Sequence, residues 1–349
     1  MLASTEYPIY QIGQLYPNPN QVNGSAADRE YRRPEHWRWI VELKQSRFTN
    51  LGAVISKRGS IIKECCAPVW WREDHATNSC AILPRDKLLQ GSTLILHSDA
   101  GSNFYHWYFD VLPRILVLRE AGIPIADFEH IIVNDAGNDR LSIFCKIFDI
   151  QDWQLVKISD AKKACFLVET AIVPSCYQHL NYSDAPLVDW LHKTHHGLWA
   201  NNHSTVKRRV FIARDKSVGR RIVNQVEIDP ILKKYNIEKI FLEDLSIICQ
   251  MRLFNESEIV ISPHGAGLTN LLWCRPNTQV IEFSNSCWHN PEYYYLSYHR
   301  GLDYTEFLCN ADTGCRDSNP AANVIVDVES LEEVLSQRLL FDRNTTTEN

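Results

Sequence analysis

Three arginines stand close together in the second half of the chain. Arg214, Arg220 and Arg221 fall within eight residues. Guanidinium groups this near to one another repel unless an anion lies among them, and each can bind two phosphate oxygens at once. The spacing therefore predicts a phosphate-binding loop. The alternative is an exposed basic loop that contacts only solvent.

A glycine-rich turn follows, with the sequence Ser-Pro-His-Gly-Ala-Gly-Leu-Thr-Asn over residues 262–270. The β-branched run before it predicts a buried strand, and the apolar run after it predicts a short helix. Gly265 and Gly267 let a ligand approach the main chain, and N–H groups at a helix start face an anion. His264 brings a titrating side chain to the same place. The alternative is a tight strand-to-helix turn capped by the histidine.

A third stretch, residues 103–114, predicts a helix with a narrow polar stripe. At about 100° per residue the stripe holds Asn103, His106, Asp110 and Arg114. The other faces are aromatic or aliphatic, so we expect the stripe to line a cleft. The alternative is a buried hydrogen-bond network that pins the helix.

Around these stretches the sequence predicts alternating strands and helices, the pattern of an α/β fold with a mainly parallel sheet. Four strands with three intervening helices in the second half predict a Rossmann-like domain, whose ligands bind beyond the carboxyl ends of the strands. Arg214, the glycine turn and Glu282 lie at such ends. The polar run 200–204 predicts the boundary between an N-terminal domain, 1–200, and a C-terminal domain, 201–349.

Local patterns predict further elements. We expect a helix near 35–45, a hairpin across 57–59 and a kink or new helix start at Pro113. The tail beyond about residue 286 is aromatic and is then predicted to be irregular, with a last helix near 330–341.

The composition indicates a globular protein with a proper core, at 45% hydrophobic and 22% charged residues. The 42 acidic and 36 basic residues give a net charge of -6, which provides no basic field for nucleic acid. No apolar run predicts a transmembrane segment, and the N-terminus lacks the features of a signal peptide. Eleven cysteines without a Cys-x-x-Cys pair indicate free thiols in a reducing compartment, so we expect a cytoplasmic protein.

Several nucleotide and hydrolase motifs are absent from the sequence. It has neither a Walker A motif nor Gly-x-Gly-x-x-Gly, which disfavours P-loop and dinucleotide-binding proteins. It has no Asp-x-Asp pair for a metal that bridges a diphosphate. We therefore expect arginines and the helix dipole to neutralise the phosphates, with no metal cofactor. The His-Gly-Ala-Gly run is similar to the oxyanion loop of lipase-like esterases, but the Gly-x-Ser-x-Gly elbow of that fold is missing.

The three stretches together resemble glycosyltransferase family 61. The likeness rests on 213–214 with 219–224, on 263–270 with 280–282, and on the runs 103–107 and 110–114, and it covers roughly residues 90–290. It implies an inverting, metal-independent transferase of GT-B architecture, with two Rossmann-like domains facing each other across a cleft and a UDP-sugar donor. Since the sequence lacks the signal anchor of Golgi and ER members, a bacterial enzyme of capsular or exopolysaccharide synthesis fits better.

On that resemblance the residues receive hypothetical roles. The donor-binding set is Arg214, Arg220, Arg221, Asn224, His264, Gly265, Ala266, Gly267, Asn270 and Glu282, with the arginines on the diphosphate and Glu282 on the uridine ribose. The acceptor-cleft set is Asn103, Trp107 and Arg114. An inverting displacement needs one base within hydrogen-bond reach of the acceptor hydroxyl. Asp110 is the candidate base, and His106 is the competing one.

The expected partners are a nucleotide-sugar donor and a glycan acceptor, with peripheral contact to a lipid-linked acceptor and no nucleic acid. Two other functional classes stay open. A catalytically inactive module of the same fold would bind a sugar nucleotide or glycan without turnover. A different Rossmann enzyme, such as a nucleotide-dependent oxidoreductase, would require NAD(P), for which the sequence has no fingerprint.

Overall fold

The chain divides into two compact units, Met1–Tyr182 and Ser183–Asn349. The computed structural model describes the ranges 9–14, 37–50, 52–62, 65, 86–98, 100–159, 164–176, 183–199, 206–214, 219–288, 290–312 and 321–344. The sequence predicts an irregular lead-in over residues 1 to about 50 and a basic loop over 215–221, and most of the lead-in and residues 215–218 of the loop fall outside these ranges.

Unit 1 is built on a seven-stranded sheet. Its strands are β1 (Ile9–Gln14), β2 (Trp37–Thr49), β3 (Val54–Ile55), β4 (Asp86–Ile95), β5 (His130–Asn134), β6 (Leu155–Ile158) and β7 (Cys165–Pro174). Its helices are α1 (Phe104–His106), a π-helix (Trp107–Val111), α2 (Pro113–Glu120) and α3 (Asn138–Phe148), with 3-10 turns at Ile125–Asp127 and Asp152–Gln154.

The strands of unit 1 lie in the order β1-β2-β7-β4-β5-β6, with β3 paired to β2. Strands β7, β4, β5 and β6 are parallel, whereas β2 runs antiparallel to β7. The chain extends the sheet from β4 to β5 and β6 and then crosses to β7 on the other side of β4. The crossover places a topological switch point, the usual ligand site of such sheets, between β4 and β7.

Three local predictions concern unit 1. The helix predicted near 35–45 is wrong, because its described residues, 37–45, belong to β2, which pairs with β7 from Ile40 to Thr49. This long-range pairing overrides the local helical pattern. The hairpin is confirmed, since the Ser56 N–H donates to the Ser60 carbonyl at 2.8 Å. The new helix start at Pro113 is also confirmed.

Unit 2 contains a six-stranded sheet with helices between its strands. Its strands are β8 (Arg208–Ile212), β9 (Glu238–Ile240), β10 (Ser257–Pro263), β11 (Gln279–Asn285), β12 (Asp303–Ala311) and β13 (Val324–Ile325). Its helices are α4 (Ala185–His195), α5 (Gln225–Lys234), α6 (Ile247–Glu256), α7 (Glu292–Arg300) and α8 (Val328–Asn344), with 3-10 segments at His196–Leu198, Leu242–Asp244 and Ala266–Trp273.

The sheet of unit 2 has the order β13-β12-β11-β10-β8-β9. Strands β8 to β12 are parallel, and in chain order they take the positions 2-1-3-4-5 of a doubly wound sheet. Its switch point lies between β8 and β10. Helix α8 closes one face, with Leu331, Leu335 and Leu339 repeating every fourth residue in the buried core.

The structure of unit 2 differs from two expectations drawn from the sequence. The second unit begins before α4 rather than near residue 200, because α4 packs on α7 and on the 3-10 segment Ala266–Trp273. The predicted irregular tail is wrong, since it contains α7 and β12. Strand β12 pairs with β11 from Gln279–Asp303 to Asn285–Cys309, a contact that no local pattern in the tail reveals.

The α/β class is confirmed in both units, as is the final helix of the tail. No helix among the described residues is both long and apolar enough to cross a membrane. The expectation of free thiols is wrong at Cys287, which is disulfide-bonded.

Candidate functional site

Arg214 lies at the switch point of unit 2, two residues beyond the end of β8. Its guanidinium packs directly against the glycine turn, so that a Cβ on Gly265 would lie 2.1 Å from Arg214 Nη1. The Nε atom is buried and has no hydrogen-bond partner in the described part of the chain. Burial and the nearby Arg220 charge lower the pKa of Arg214. The site therefore presents a half-buried positive charge whose hydrogen bonds are incomplete.

Arg220 is held in an unusual backbone conformation. Its φ angle is 53°, which is uncommon for a residue with a Cβ, and its N–H donates to the Ala321 carbonyl at 3.1 Å. The preceding Gly219 has φ of 79°, and a Cβ there would lie 2.6 Å from the same carbonyl oxygen. Such conformations persist where the surrounding structure enforces them. The loop thus fixes Arg220 beside the Trp288 ring, with Cζ 5.8 Å from the ring centroid.

The other two predicted residues of this loop differ from Arg220. Arg221 is exposed, and its backbone bonds to Asn323 and Val324. The Asn224 side chain donates to the Val326 carbonyl at 2.8 Å and accepts from the Val326 N–H at 3.0 Å. The Asn224 amide therefore fastens the loop to the segment after β13.

The glycine turn leads from β10 into the 3-10 segment Ala266–Trp273. Its first helical backbone bond runs from the Leu268 N–H to the Gly265 carbonyl at 2.9 Å. The N–H groups of Ala266 and Gly267 precede that bond, and N–H groups at a helix start lack an intrahelical partner. Both residues are partly exposed. They supply two donors for an anion next to Arg214.

Asn270 lies deeper in the same segment and is fully buried. Its Nδ2 donates to Gln250 Oε1 at 3.0 Å and to the Gly267 carbonyl at 3.1 Å, and its Oδ1 accepts from Trp273 Nε1 at 3.1 Å. Both the nitrogen and the oxygen of the side-chain amide therefore have hydrogen-bond partners within the protein. Asn270 therefore holds the turn in shape.

His264 lies between two buried carboxylates. Its Nδ1 bonds to Glu282, whose second oxygen accepts from the Tyr304 hydroxyl at 2.7 Å. Its Nε2 is 3.9 Å from Glu292 Oε1. Burial and the Glu282 charge raise the pKa of Tyr304, so the phenol remains a hydrogen-bond donor at neutral pH. Both oxygens of Glu282, predicted to bind ribose, thus already have partners within the protein.

Aromatic rings enclose His264. Trp288 meets the imidazole edge to face at a centroid distance of 5.0 Å, and Tyr293 lies at 5.2 Å. Arg220, His264 and Trp288 also line a small cavity at the carboxyl ends of β10 and β11. Guanidinium groups, helix-start N–H groups and an imidazole beside aromatic faces can bind a phosphorylated ligand and stabilise negative charge on it.

In unit 1 the structure pairs the two candidate bases. His106 Nδ1 and Asp110 Oδ2 are 2.6 Å apart, and both side chains are partly exposed. Asn103 is exposed and caps α1 by accepting from the Tyr105 N–H at 2.9 Å. The imidazole–carboxylate pair can remove a proton from a hydroxyl group.

The other two residues of the predicted acceptor-cleft set, Trp107 and Arg114, are buried. Trp107 is 2% exposed and packs against Phe144, and Arg114 is 1% exposed and donates to the Pro174 carbonyl at 3.4 Å. For Arg114 the cause is the π-helix, in which the Leu112 N–H bonds to the Trp107 carbonyl five residues back. The extra residue per turn rotates Arg114 away from the predicted stripe.

Sequence reasoning missed several residues of both units. Trp288, Glu292, Tyr293 and Tyr304 lie in the tail that was predicted to be irregular, and only its density of aromatic residues signals a packed region. In unit 1 it missed His97, just beyond β4, which is 3% exposed and whose ring nitrogens have no hydrogen-bond partner among the described residues. Burial and the Arg114 charge lower the pKa of His97 to about 3.

The comparisons with known proteins agree on one family. The family model Glycosyltransferase 61 matches residues 104–281, about half of the chain. An EGF domain-specific O-linked N-acetylglucosamine transferase from Bos taurus is 26% identical over 243 residues, which cover 63% of this chain and 45% of the relative. The protein of that name from Rattus norvegicus is 28% identical over 241 residues, with the same coverage of 63% and 45%.

A plant protein matches a shorter stretch. A beta-1,2-xylosyltransferase from Oryza sativa subsp. japonica is 28% identical over 123 residues, covering 32% of this chain and 22% of the relative. The chain spans about half the length, or less, of the curated relatives it matches.

Proposed function

The chain belongs to glycosyltransferase family 61, and we propose that it transfers a sugar from a UDP-sugar to an acceptor hydroxyl, with inversion and without a metal. The names of its relatives give N-acetylglucosamine and xylose as transferred sugars. UDP-N-acetylglucosamine and UDP-xylose are therefore the first donors to test.

One observation carries the donor half of the proposal, namely the packing of Arg214 against Gly265 at the switch point of unit 2. A diphosphate there would accept hydrogen bonds from Arg214, Arg220 and the N–H groups that start the 3-10 segment. It would also relieve the repulsion between the two guanidinium groups, which contributes to the lowered pKa of Arg214. The same donors would stabilise charge that develops on UDP as it leaves.

The acceptor half of the proposal rests on the His106–Asp110 pair. Asp110 engages Nδ1, so the imidazole would take the hydroxyl proton through Nε2 while Asp110 holds the ring and its tautomer. The proposal therefore gives His106 the role of base and makes Asp110 a positioning residue. From the sequence, Asp110 is the candidate base and His106 is the competing one, so the two roles are exchanged.

The proposal assigns the donor to unit 2 and the acceptor to unit 1, as in a GT-B enzyme. The acceptor hydroxyl belongs to a glycan, as the sequence predicts, or to a folded protein domain, as the names of the animal relatives suggest. The disulfide at Cys287 favours an oxidising compartment over the cytoplasm. It also weighs against cytosolic capsular or exopolysaccharide synthesis and favours testing protein acceptors first.

A thermal-shift titration followed by a transfer assay tests the proposal. UDP, GDP, CMP and NAD are compared with and without EDTA, and a ligand at about 100 times its Kd stabilises the fold by about 2.7 kcal/mol. We expect a shift with UDP that EDTA does not change, and sugar transfer from one of the two donors.

The other outcomes separate the remaining classes. UDP binding without turnover on any acceptor supports an inactive binding module. A shift with NAD alone supports an oxidoreductase, and loss of UDP binding in EDTA contradicts metal independence.

A further inference from the structure

We infer that the indole of Trp288 is the stacking platform for the planar base of the nucleotide donor. The inference rests on the proposed function, because it names the part of the donor that this side chain recognises. It gives a role to a residue in the segment between β11 and α7, which the sequence pattern left unassigned.

Trp288 differs from the aromatic residues around it. Phe283 and Tyr293 are each 1% exposed and belong to the interior, whereas Trp288 is half-buried. Its ring forms part of the lining of the cavity that also includes Arg220 and His264. A large aromatic side chain beside a cationic group, and only partly covered, retains surface for a ligand.

The backbone around Trp288 is fixed before any ligand binds. The Trp288 N–H donates to the Asn285 carbonyl at 3.1 Å, and the Cys287 N–H donates to Asn285 Oδ1 at 2.9 Å. The disulfide at Cys287 adds a covalent constraint one residue before the ring. A platform that is already ordered loses little conformational entropy on binding, so its contacts contribute more fully to affinity.

The chemical character of the groups around Trp288 favours contact of the indole with the nucleobase and not with the phosphates. The negative face of an aromatic ring attracts the Arg220 guanidinium at 5.8 Å but repels phosphate oxygens. A single ribose joins the base to the diphosphate, so a diphosphate on Arg214 and Arg220 places the base close to this loop. Every nucleobase has a π-face that stacks on an aromatic side chain.

The size of the cavity indicates where the base stacks. Its volume is ≈ 10 Å³, which is room for about one water. The base therefore lies on the accessible side of the indole and not inside the cavity between Trp288 and His264. The edge-to-face contact with His264 supports the indole from within.

The test compares two ligands, UDP and inorganic pyrophosphate, by isothermal titration calorimetry. Pyrophosphate carries the phosphates without the base. We expect Trp288→Leu, which keeps an apolar side chain without a π-face, to raise the Kd for UDP by between about fivefold and about 150-fold. The Kd for pyrophosphate should stay within about twofold. Trp288→Phe should retain most of the UDP affinity, and Trp153→Leu is the control, since Trp153 is 71% exposed.

Each remaining result would overturn the inference in a recognisable way. Equal loss of UDP and pyrophosphate binding would mean that Trp288 acts by supporting Arg220. Unchanged UDP binding with weaker binding of the intact UDP-sugar would assign the ring to the sugar. A wild-type chain that binds pyrophosphate but not UDP would contradict the proposed donor and the platform together. Binding of UDP that is insensitive to Trp288 would contradict the platform alone.

Discussion

Substitution of Gly265 by alanine isolates the contact on which the donor site depends. The new Cβ would lie 2.1 Å from Arg214 Nη1, and an ordinary van der Waals contact requires at least 3.4 Å. The guanidinium must therefore move by more than 1 Å. Because it is the end of a flexible side chain, it can do so without disturbing the sheet. The φ angle of Gly265 is 164°, an extended conformation that alanine adopts without strain.

The expected effects on stability and on binding have opposite signs. Alanine reduces the conformational entropy of the unfolded chain, so the free energy of unfolding should stay the same or rise by up to about 1 kcal/mol. A displaced Arg214 loses a charge-assisted hydrogen bond to phosphate, worth about 1.5–3 kcal/mol. The Kd for UDP should therefore rise by about 10- to 150-fold.

A double-mutant cycle measured by calorimetry tests the cause. If Gly265→Ala acts through Arg214, the double variant with Arg214→Met should bind UDP no more weakly than Arg214→Met alone. Gly197→Ala serves as the control, because a Cβ at that exposed glycine meets no atom within 4 Å. Additive losses in the cycle, or wild-type affinity in Gly265→Ala, would refute the reasoning.

Three further predictions address the rest of the chain. Asp110→Asn should lower kcat by about 10²- to 10⁴-fold with little change in the Kd for UDP, and near wild-type turnover would remove the His106–Asp110 pair from the mechanism. His97 has a pKa of about 3 in the folded state, lowered by burial and Arg114, against about 6.5 when unfolded, so the free energy of unfolding should fall as pH drops through that window. Denaturant unfolding at a series of pH values should show His97→Leu reducing the slope by up to about 1.4 kcal/mol per pH unit. Alkylation without reductant should leave Cys287 unmodified in mass spectra, and a modified Cys287 would speak against both its disulfide and the oxidising compartment.

The sequence was informative where structure is set by neighbouring residues. The strand before the glycine turn, the start of α2 at Pro113 and the arginine beyond β8 follow from local composition, and all three are present. The loops that follow parallel strands all begin at the carboxyl edge of the sheet. Since Arg214 follows β8 and Gly265 follows β10, their positions in the sequence already bring both residues to that edge.

Prediction failed where distant segments decide the outcome. Strand β2 forms because β7 lies beside it, and β12 forms because β11 does, although neither partner is close in sequence. The stripe on residues 103–114 failed only at Arg114, and for a different reason. It assumed 100° per residue, and the π-helix at Trp107–Val111 breaks that period.

Some residues of the family motifs hold the protein in shape and others are available to a ligand, and a sequence pattern cannot separate the two kinds. Asn224, Asn270 and Glu282 match the family resemblance as well as Arg214 does, yet their polar atoms are engaged by the protein itself. Substituting any of the three should lower the free energy of unfolding before it affects ligand affinity, because each would leave buried partners unsatisfied. Arg214 differs from these three residues, because its guanidinium lies against a glycine and its Nε has no hydrogen-bond partner among the described residues. A site residue is therefore recognised here by the hydrogen bonds that it lacks, and those become visible only when the partners of every motif residue are known.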